Sequence, residues 1–160
     1  DRWQHHLSFI WHIMQNINFL QSINENLFVV GWSYAIRSEF PEFRMNNDYD
    51  IEIKWKDWDY FEFTLEKHGA SIDKSKYGNE CIYIATFDDG SSIDIIVRKY
   101  FPCKEEIKKW TQGFYIRKIP FIIDCKMDLI NNHTDNENIS SKHVKDILWL
   151  LNNTPYTIKL

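Results

Sequence analysis

The chain has 160 residues, of which 44% are hydrophobic and 16% aromatic, so it can bury the core of one domain spanning residues 1–160. Its formal net charge of −4 argues against broad contact with a nucleic-acid backbone, because such contact needs a basic surface. The sequence shows no membrane span, no signal peptide and no zinc spacing among its three cysteines, so we expect a cytoplasmic protein with buried thiols and no membrane contact.

The first forty residues predict helix, strand, turn and helix. Apolar residues recur at steps of three and four over residues 3–23, which is the period of an amphipathic helix. The run LFVVG, residues 27–31, predicts a buried strand that ends in a tight turn. The following SYAIRSEF, residues 33–40, predicts a short helix that stops before Pro41.

The segment NNDYDIEIKW, residues 46–55, predicts a strand with one acidic face. Asp48, Asp50 and Glu52 alternate with apolar residues, and alternate side chains of a strand share a face. Carboxylates at that spacing repel each other unless a cation lies between them, which favours a metal site. The alternative is an ordinary wet face of an antiparallel strand.

The middle of the chain predicts a capped helix and a hairpin. Asp57 can cap a helix that ends at Gly69. Residues 80–87 and 91–97 are rich in β-formers, and the Asp-Asp-Gly sequence at 88–90 between them predicts a tight turn. Asp94 lies in the second of these strands, on the face opposite its apolar neighbours.

The last third predicts a helix over residues 105–110, a strand over 115–123, a helical stretch over 127–130 and a polar loop over 131–138. A final helix opens at Ser140 or Ser141 and turns four residues inward, namely Val144, Ile147, Leu148 and Leu151. The order of elements predicts a mixed α/β domain of the α+β class, in which helices pack on one mixed sheet.

If the two acid-bearing strands pair in one sheet, Asp48, Asp50 and Asp94 can converge near the VVGWS turn. Hard cations such as Mg²⁺ prefer oxygen ligands, and the free N–H groups of a turn bind phosphate, so the cluster suits a metal and phosphate site. The alternative is that Asp94 only caps the hairpin.

These features together resemble the nucleotidyltransferase fold of the DNA polymerase β superfamily, and in particular the small antibiotic nucleotidyltransferases that act on aminoglycosides and lincosamides. Their Gly-Gly-Trp-Ala turn resembles VGWS at residues 30–33, with Val30 in place of the first glycine. Their Arg-x-x-x-Asp-h-Asp-h strand, where h is hydrophobic, resembles RMNNDYDI at residues 44–51. Their late Lys-Asp helix resembles Lys145-Asp146.

The resemblance implies roles for the acidic residues. Asp48 and Asp50 would hold one or two Mg²⁺ ions on the phosphates of a nucleoside triphosphate. Asp94 would complete the metal site or accept the proton of the attacking hydroxyl, as the catalytic residue. Glu52 would support them from the same strand.

The resemblance also implies phosphate contacts. Gly31 and Ser33 would offer backbone N–H groups, and Ser33 its hydroxyl, at a helix N-terminus. Arg44, with Lys142 and Lys145 as possible further phosphate or acceptor contacts, would face the charged transition state. The alternative is that Arg44 pairs with a surface acid and that the lysines form an ordinary solvated helix face.

The implied function is Mg²⁺-dependent transfer of a nucleoside monophosphate, with AMP as first choice, from a nucleoside triphosphate to a hydroxyl of a small molecule such as an antibiotic. A second hypothesis is a toxin–antitoxin-type enzyme that modifies tRNA or a protein, which would need a basic groove around residues 98–118. Two others are a nucleotide-binding module that has lost catalysis, for which Val30 is the hint, and an unrelated α+β domain whose acids fall together by chance.

Overall fold

The computed structural model describes residues 14–44, 48–77, 80–110, 113–132 and 137–158. Within these ranges the α-helices and strands are, in chain order, α1 (Gln15–Ser22), β1 (Phe28–Val30), α2 (Trp32–Glu39), β2 (Asp48–Lys54), α3 (Trp58–Lys67), β3 (Ser71–Tyr77), β4 (Glu80–Thr86), β5 (Ser92–Arg98), β6 (Ile107–Lys109), β7 (Tyr115–Arg117), α4 (Ile119–Asn132) and α5 (Glu137–Asn153). None of the helices in these ranges has the length and apolar content that a bilayer span requires.

One sheet organises the described residues. Its seven strands lie in the order β3-β4-β5-β2-β1-β7-β6. The strand β2 runs parallel to β5, and β1 runs parallel to β7, whereas the other neighbours are antiparallel. The predicted mixed sheet with packed helices, and hence the α+β class, is confirmed.

The core lies against the apolar face of the two central strands. Ile51 and Ile53 of β2 and Ile93 and Ile95 of β5 are fully buried. Helices α1 and α3 meet in the same core, where the rings of Phe19 and Phe61 make an edge contact at 6.4 Å between centroids. Because strand side chains alternate, burial of this isoleucine face commits the acids of β2 and β5 to the opposite face.

Several local predictions are confirmed. The strand β1, the helix α2 that ends before Pro41 and the hairpin with Gly90 at a positive φ all occur as expected. Asp57 does precede α3, although its side chain makes no capping hydrogen bond. Of the helix predicted over residues 3–23, α1 covers the end, and residues 3–13 lie outside the described residues.

One strand was missed and two predictions are wrong. The strand β3 was not predicted, because its SIDKSKY sequence is too polar to indicate a buried strand. The helix predicted over 105–110 is a short 3₁₀ turn followed by β6, which pairs with β7. The strand predicted over 115–123 ends at Arg117, and α4 begins at Ile119, since Pro120 is tolerated in a first helical turn.

The inward face of α5 also differs from the prediction. The helix begins at Glu137, and Ile147 and Leu150 are buried, whereas Val144, Leu148 and Leu151 are 38%, 52% and 37% exposed. The reason is a charged residue in the buried stripe. Asp146 is 3% exposed and bonds to Lys126 of α4, which rotates the inward face by about one position from the purely apolar pattern.

Two of the leucines of α5, Leu148 and Leu150, test this face. We expect Leu150→Ala to lower the free energy of unfolding by about 2–5 kcal/mol, because it leaves a cavity in the core. The matched change Leu148→Ala removes a half-exposed side chain and should lower it by less than about 1 kcal/mol. Urea denaturation of both variants measures the difference, and equal losses would contradict the observed orientation of the helix.

Candidate active site

Two carboxyl groups face each other across the central strands. Asp50 of β2 and Asp94 of β5 are directly opposite in the parallel register, and Asp48 lies opposite Ser92. Because opposed residues of paired strands share a face, the two carboxyl groups lie side by side on the face opposite the isoleucine core. Two ionised carboxylates at adjacent positions repel each other, so this arrangement favours a proton or a cation beside them.

The electrostatics of the pair reflect burial and like charge. Burial, followed by the charges of Asp94 and Asp48, raises the pKa of Asp50 to about 7. Burial and the charge of Asp48 also raise the pKa of Asp94. Lys142 of α5 acts in the opposite direction on both carboxyl groups. Without a bound cation, the site therefore retains a proton close to neutral pH.

The donor set suits a hard divalent cation. Within the described ranges, no three acidic, histidine or cysteine side chains are already arranged as a metal-ligand cluster. Mg²⁺ does not need one, since it is usually held by one or two carboxylates and completes its shell with water and substrate phosphates. The crowded Asp50 and Asp94 pair, with Asp48 two residues away on the same face, fits that requirement.

A tight turn lies beside the carboxylates. Gly31 joins β1 to α2, and its N–H donates to the carbonyl oxygen of Asp50 at 2.9 Å. The next residue, Trp32, has φ +58°, in the left-handed region. The first N–H groups of the eight-residue α2 follow this turn, and such groups bind anions readily. Ser33 is only 1% exposed, so its hydroxyl lies inside the protein rather than on the surface of the site.

A charge cluster joins the segment before β2 to helices α4 and α5. Arg44 donates to both carboxylate oxygens of Asp146, from Nε and Nη2 at 2.8 Å each. Lys126 Nζ donates to Oδ2 of the same carboxylate at 2.9 Å. Burial lowers the pKa of Lys126 although Asp146 opposes that effect. The predicted partner of Arg44 was a phosphate, and its partner in the protein is Asp146.

The two predicted lysines of α5 differ in position. Both Lys142 and Lys145 are exposed. Lys142 lies one turn before Asp146, and its charge reaches the carboxyl groups of Asp50 and Asp94. In the Lys145-Asp146 dipeptide that carried the resemblance, the lysine therefore faces solvent and the aspartate is the buried member.

Glu52, the third acid of β2, belongs to a separate buried network. Its carboxylate accepts two hydrogen bonds from Arg117, at 2.6 and 2.8 Å, and forms an ion pair with Arg98. Arg117 also donates to Glu106 at 2.8 Å. A narrow cleft joins this network to the turn and is lined by Gly31, Trp32, Glu52, Arg117, Ile122 and Cys125. The charge of Glu52 is therefore balanced by Arg117 and Arg98 inside the protein.

Sequence reasoning missed Lys126 and Arg117. Lys126 occurs in the apolar run FIIDCKMDLI and Arg117 follows a short strand, and a single basic residue in such places usually indicates a surface position. The only available signal was the surplus of acids on the β2 face, since a buried acid implies a basic partner somewhere in the chain.

No family model matches the sequence, and no curated protein matches it. Several solved structures are nevertheless similar to this chain. An inferred nucleotidyltransferase from Thermotoga maritima is similar with a TM-score of 0.56 at 14% identity, over 91% of this chain and 93% of that one. The antibiotic-resistance factor ANT(2'')-Ia is similar with a TM-score of 0.53 at 14% identity, over 81% of this chain and 80% of that one. The chain therefore has the nucleotidyltransferase fold, as the sequence predicted.

The Glu52 network should contribute strongly to stability. We expect Glu52→Gln to lower the free energy of unfolding by about 3 kcal/mol, because it leaves buried arginine charge without a full counter-charge. The matched change Glu25→Gln breaks an exposed ion pair with Lys109 and should have no measurable effect. Urea denaturation compares the two, and similar small losses would show that the network is not a stabilising unit.

The crowded carboxyl pair should destabilise the metal-free protein at high pH. The folded-state pKa of Asp50, about 7, lies above its ordinary value of 3.8, so its ionisation costs stability as the pH rises through this window. In EDTA at pH 8 we expect Asp50→Asn to raise the free energy of unfolding by up to about 4 kcal/mol. At pH 4 the gain should vanish. The exposed Asp124→Asn is the control, and an equal gain from Asp50→Asn at both pH values would contradict the assignment.

Proposed function

We propose that the protein is a Mg²⁺-dependent nucleotidyltransferase that moves a nucleoside monophosphate, with AMP as first choice, from a nucleoside triphosphate to a hydroxyl of a small molecule. One observation carries the proposal. Asp50 and Asp94 face each other with raised pKa values beside a turn whose Gly31 N–H is bonded to the backbone of Asp50. Carboxylates and a phosphate-binding turn at one spot are what transfer of a nucleotidyl group requires.

The proposed reaction is a single displacement at the α-phosphorus. The acceptor oxygen forms a bond to the α-phosphorus, and the bond from that phosphorus to the oxygen bridging to the β-phosphate breaks, so that pyrophosphate leaves. The hydroxyl proton passes to Asp94, whose raised pKa makes it a better base than an ordinary aspartate. Mg²⁺ held by Asp48 and Asp50 would supply positive charge against the phosphate oxygens and the leaving pyrophosphate.

The remaining residues would bind and orient the triphosphate. The N–H groups that follow Gly31 at the start of α2 are suited to phosphate oxygens. Since Ser33 is buried, we assign its backbone N–H and not its hydroxyl to this role. Arg44 and Lys142 would add positive charge near the phosphates, and their charges already act on the pKa values of nearby carboxyl groups. Lys145, which is exposed, is the weaker candidate.

A small acceptor is supported by how the basic residues are paired. The groove that a tRNA or protein acceptor needs would use residues 98–118, yet four cations there are bonded to acids. Lys108 pairs with Glu39, Lys109 with Glu25, and Arg98 and Arg117 with Glu52. The fold shared with an antibiotic-resistance factor makes antibiotics the first acceptor class to screen.

Val30 does not favour a non-catalytic module. Its side chain is fully buried in β1, where it pairs with Ile51, so it points into the core. Gly31 remains the residue of the turn that approaches Asp50. The substitution of valine for the first glycine is therefore compatible with a working phosphate turn.

The aspartates test the proposed function directly. Pyrophosphate release should be measured with each of ATP, GTP, CTP and UTP, with and without Mg²⁺, against a panel of hydroxylated antibiotics. We expect Asp94→Asn to lower the rate by about 10²–10⁴-fold, because it removes the general base. Asp50→Asn should also abolish the Mg²⁺-dependent rise in melting temperature with the preferred nucleotide.

Asp73→Asn, an exposed aspartate on β3, is the matched control and should behave like the wild type. Full transfer activity in Asp50→Asn would overturn the proposed function. Nucleotide binding without any pyrophosphate release across the whole panel would favour the non-catalytic module. Transfer to tRNA that weakens steeply with salt would favour the macromolecular acceptor.

A further inference from the structure

Trp32 has an unusual backbone conformation and lies in the turn beside Asp50. It is the only non-glycine residue in the described ranges with a positive φ. A bulky residue is unfavourable there, and such a conformation persists only when its surroundings hold it. Trp32 lies directly after Gly31, whose N–H is bonded to the backbone of Asp50. Whatever holds Trp32 therefore also holds the turn beside the carboxylates.

The contacts of the Trp32 ring come from two helices. Lys126 of α4 places Nζ 4.7 Å from the ring centroid, and His143 of α5 lies 5.8 Å away with its ring tilted by 33°. Lys126 Nζ is also 3.3 Å from His143 Nδ1. Burial and the charge of Lys126 lower the pKa of His143 to about 4, so this ring is neutral at neutral pH and can accept that hydrogen bond.

Lys126 cannot act as an ordinary phosphate ligand in this arrangement. Its side chain is 2% exposed, and its ammonium group already meets Asp146, His143 and the Trp32 ring. An ammonium over an indole face, screened from water, makes a strong cation–π contact. The group therefore works inside the protein, on the residues around it.

Asp146 connects this cluster to a second cation. Its carboxylate binds Lys126 and, through both oxygens, Arg44. One turn earlier on the same helix, Lys142 acts on the carboxyl groups of Asp50 and Asp94. The pair formed by Lys126 and Asp146 thus fixes α5 against both the turn and the segment that precedes β2.

We propose that Lys126, anchored by Asp146, is a positioning residue that holds Trp32 in its left-handed conformation and so keeps the N–H groups after Gly31 aimed at the triphosphate. The inference rests on the proposed function for the identity of the ligand. The stabilisation of the turn by Lys126 does not depend on the proposed function. The ammonium group of Lys126 is enclosed by Asp146, His143 and the Trp32 ring, so its effect on the turn passes through that ring. Its charge also lowers the pKa of Asp50, which is a separate effect.

The test is Lys126→Met, which keeps the length of the side chain and removes its charge. Two quantities are measured, namely amide hydrogen exchange of peptides covering residues 28–34 without nucleotide, and the dissociation constant for Mg²⁺ with the preferred nucleotide. We expect exchange in the turn to be at least about tenfold faster and nucleotide binding about tenfold weaker, as for other residues that orient a binding group from behind. The transfer reaction should show a raised KM with little change in kcat. Lys67→Met, an exposed helical lysine of α3, is the control and should change none of these.

A double-mutant cycle shows whether the effect passes through the ring. Trp32→Leu keeps an apolar side chain but removes the aromatic face. Because it leaves the ion pair of Lys126 and Asp146 intact, it also tests the proposal if Lys126→Met does not fold. We expect Trp32→Leu to reproduce the loss, and Lys126→Met added to it to cost less than about threefold more. Effects that multiply in the double variant would overturn the proposal.

The readouts separate this inference from the proposed function. If the wild type binds no nucleotide, the proposed function fails, while faster exchange confined to residues 28–34 in Lys126→Met still supports the positioning role. Unchanged exchange in the turn would overturn that role even if nucleotide binding and transfer are confirmed. Faster exchange that extends equally to the β4–β5 hairpin would also overturn it, since it would indicate a general loss of stability.

Discussion

The parallel pairing of β2 with β5 is the constraint on which the rest of the structure depends. It sets seven residue pairs in register and places Asp50 against Asp94. Because strand side chains alternate, a slip of one residue would turn one of these acids into the isoleucine core, so burial of that core enforces the encounter of like charges. The fold thereby supplies the energy that holds two carboxyl groups together.

The three acids of β2 show how one strand can carry two kinds of carboxylate. Glu52 is buried and compensated by arginines from two other strands, so its charge is accounted for within the protein. Asp50 has a pKa raised to about 7, which the charges of Lys142 and Lys126 only partly offset. The charge of Glu52 is balanced by arginines within the protein, whereas the raised pKa of Asp50 shows that its negative charge is not fully balanced. Glu52 and Asp50 therefore look equivalent in the alternating sequence of β2, and only their different ion-pair partners distinguish them.

The parts of the site that could be predicted from the sequence are those written in local patterns. The alternation of acidic and apolar residues predicted the acidic face of β2 and β5, and the glycines at turn positions predicted the Gly31 turn and the Gly90 hairpin. The ion pair of Lys126 with Asp146 could not be predicted, because a buried ion pair between residues on different helices has no local signature. Asp146 was noted only as part of the Lys145-Asp146 motif, and Lys126 alone resembles a surface charge. The inward face of α5 was wrong for the same reason, since a purely apolar stripe leaves no place for Asp146. The strand β6 depends on its pairing with β7, which a local helical pattern cannot represent.

The strand that escaped prediction, β3, forms one edge of the sheet, and β6 forms the other. An edge strand offers unpaired N–H and C=O groups to any extended chain, and charged side chains are a common protection against such pairing. Asp73 is exposed on β3, where Lys74 covers the Tyr83 ring, and β6 carries Lys108 and Lys109. The polar sequence that prevented the prediction of β3 thus discourages the addition of a strand from another molecule at that edge, and the lysines of β6 do the same at the other edge.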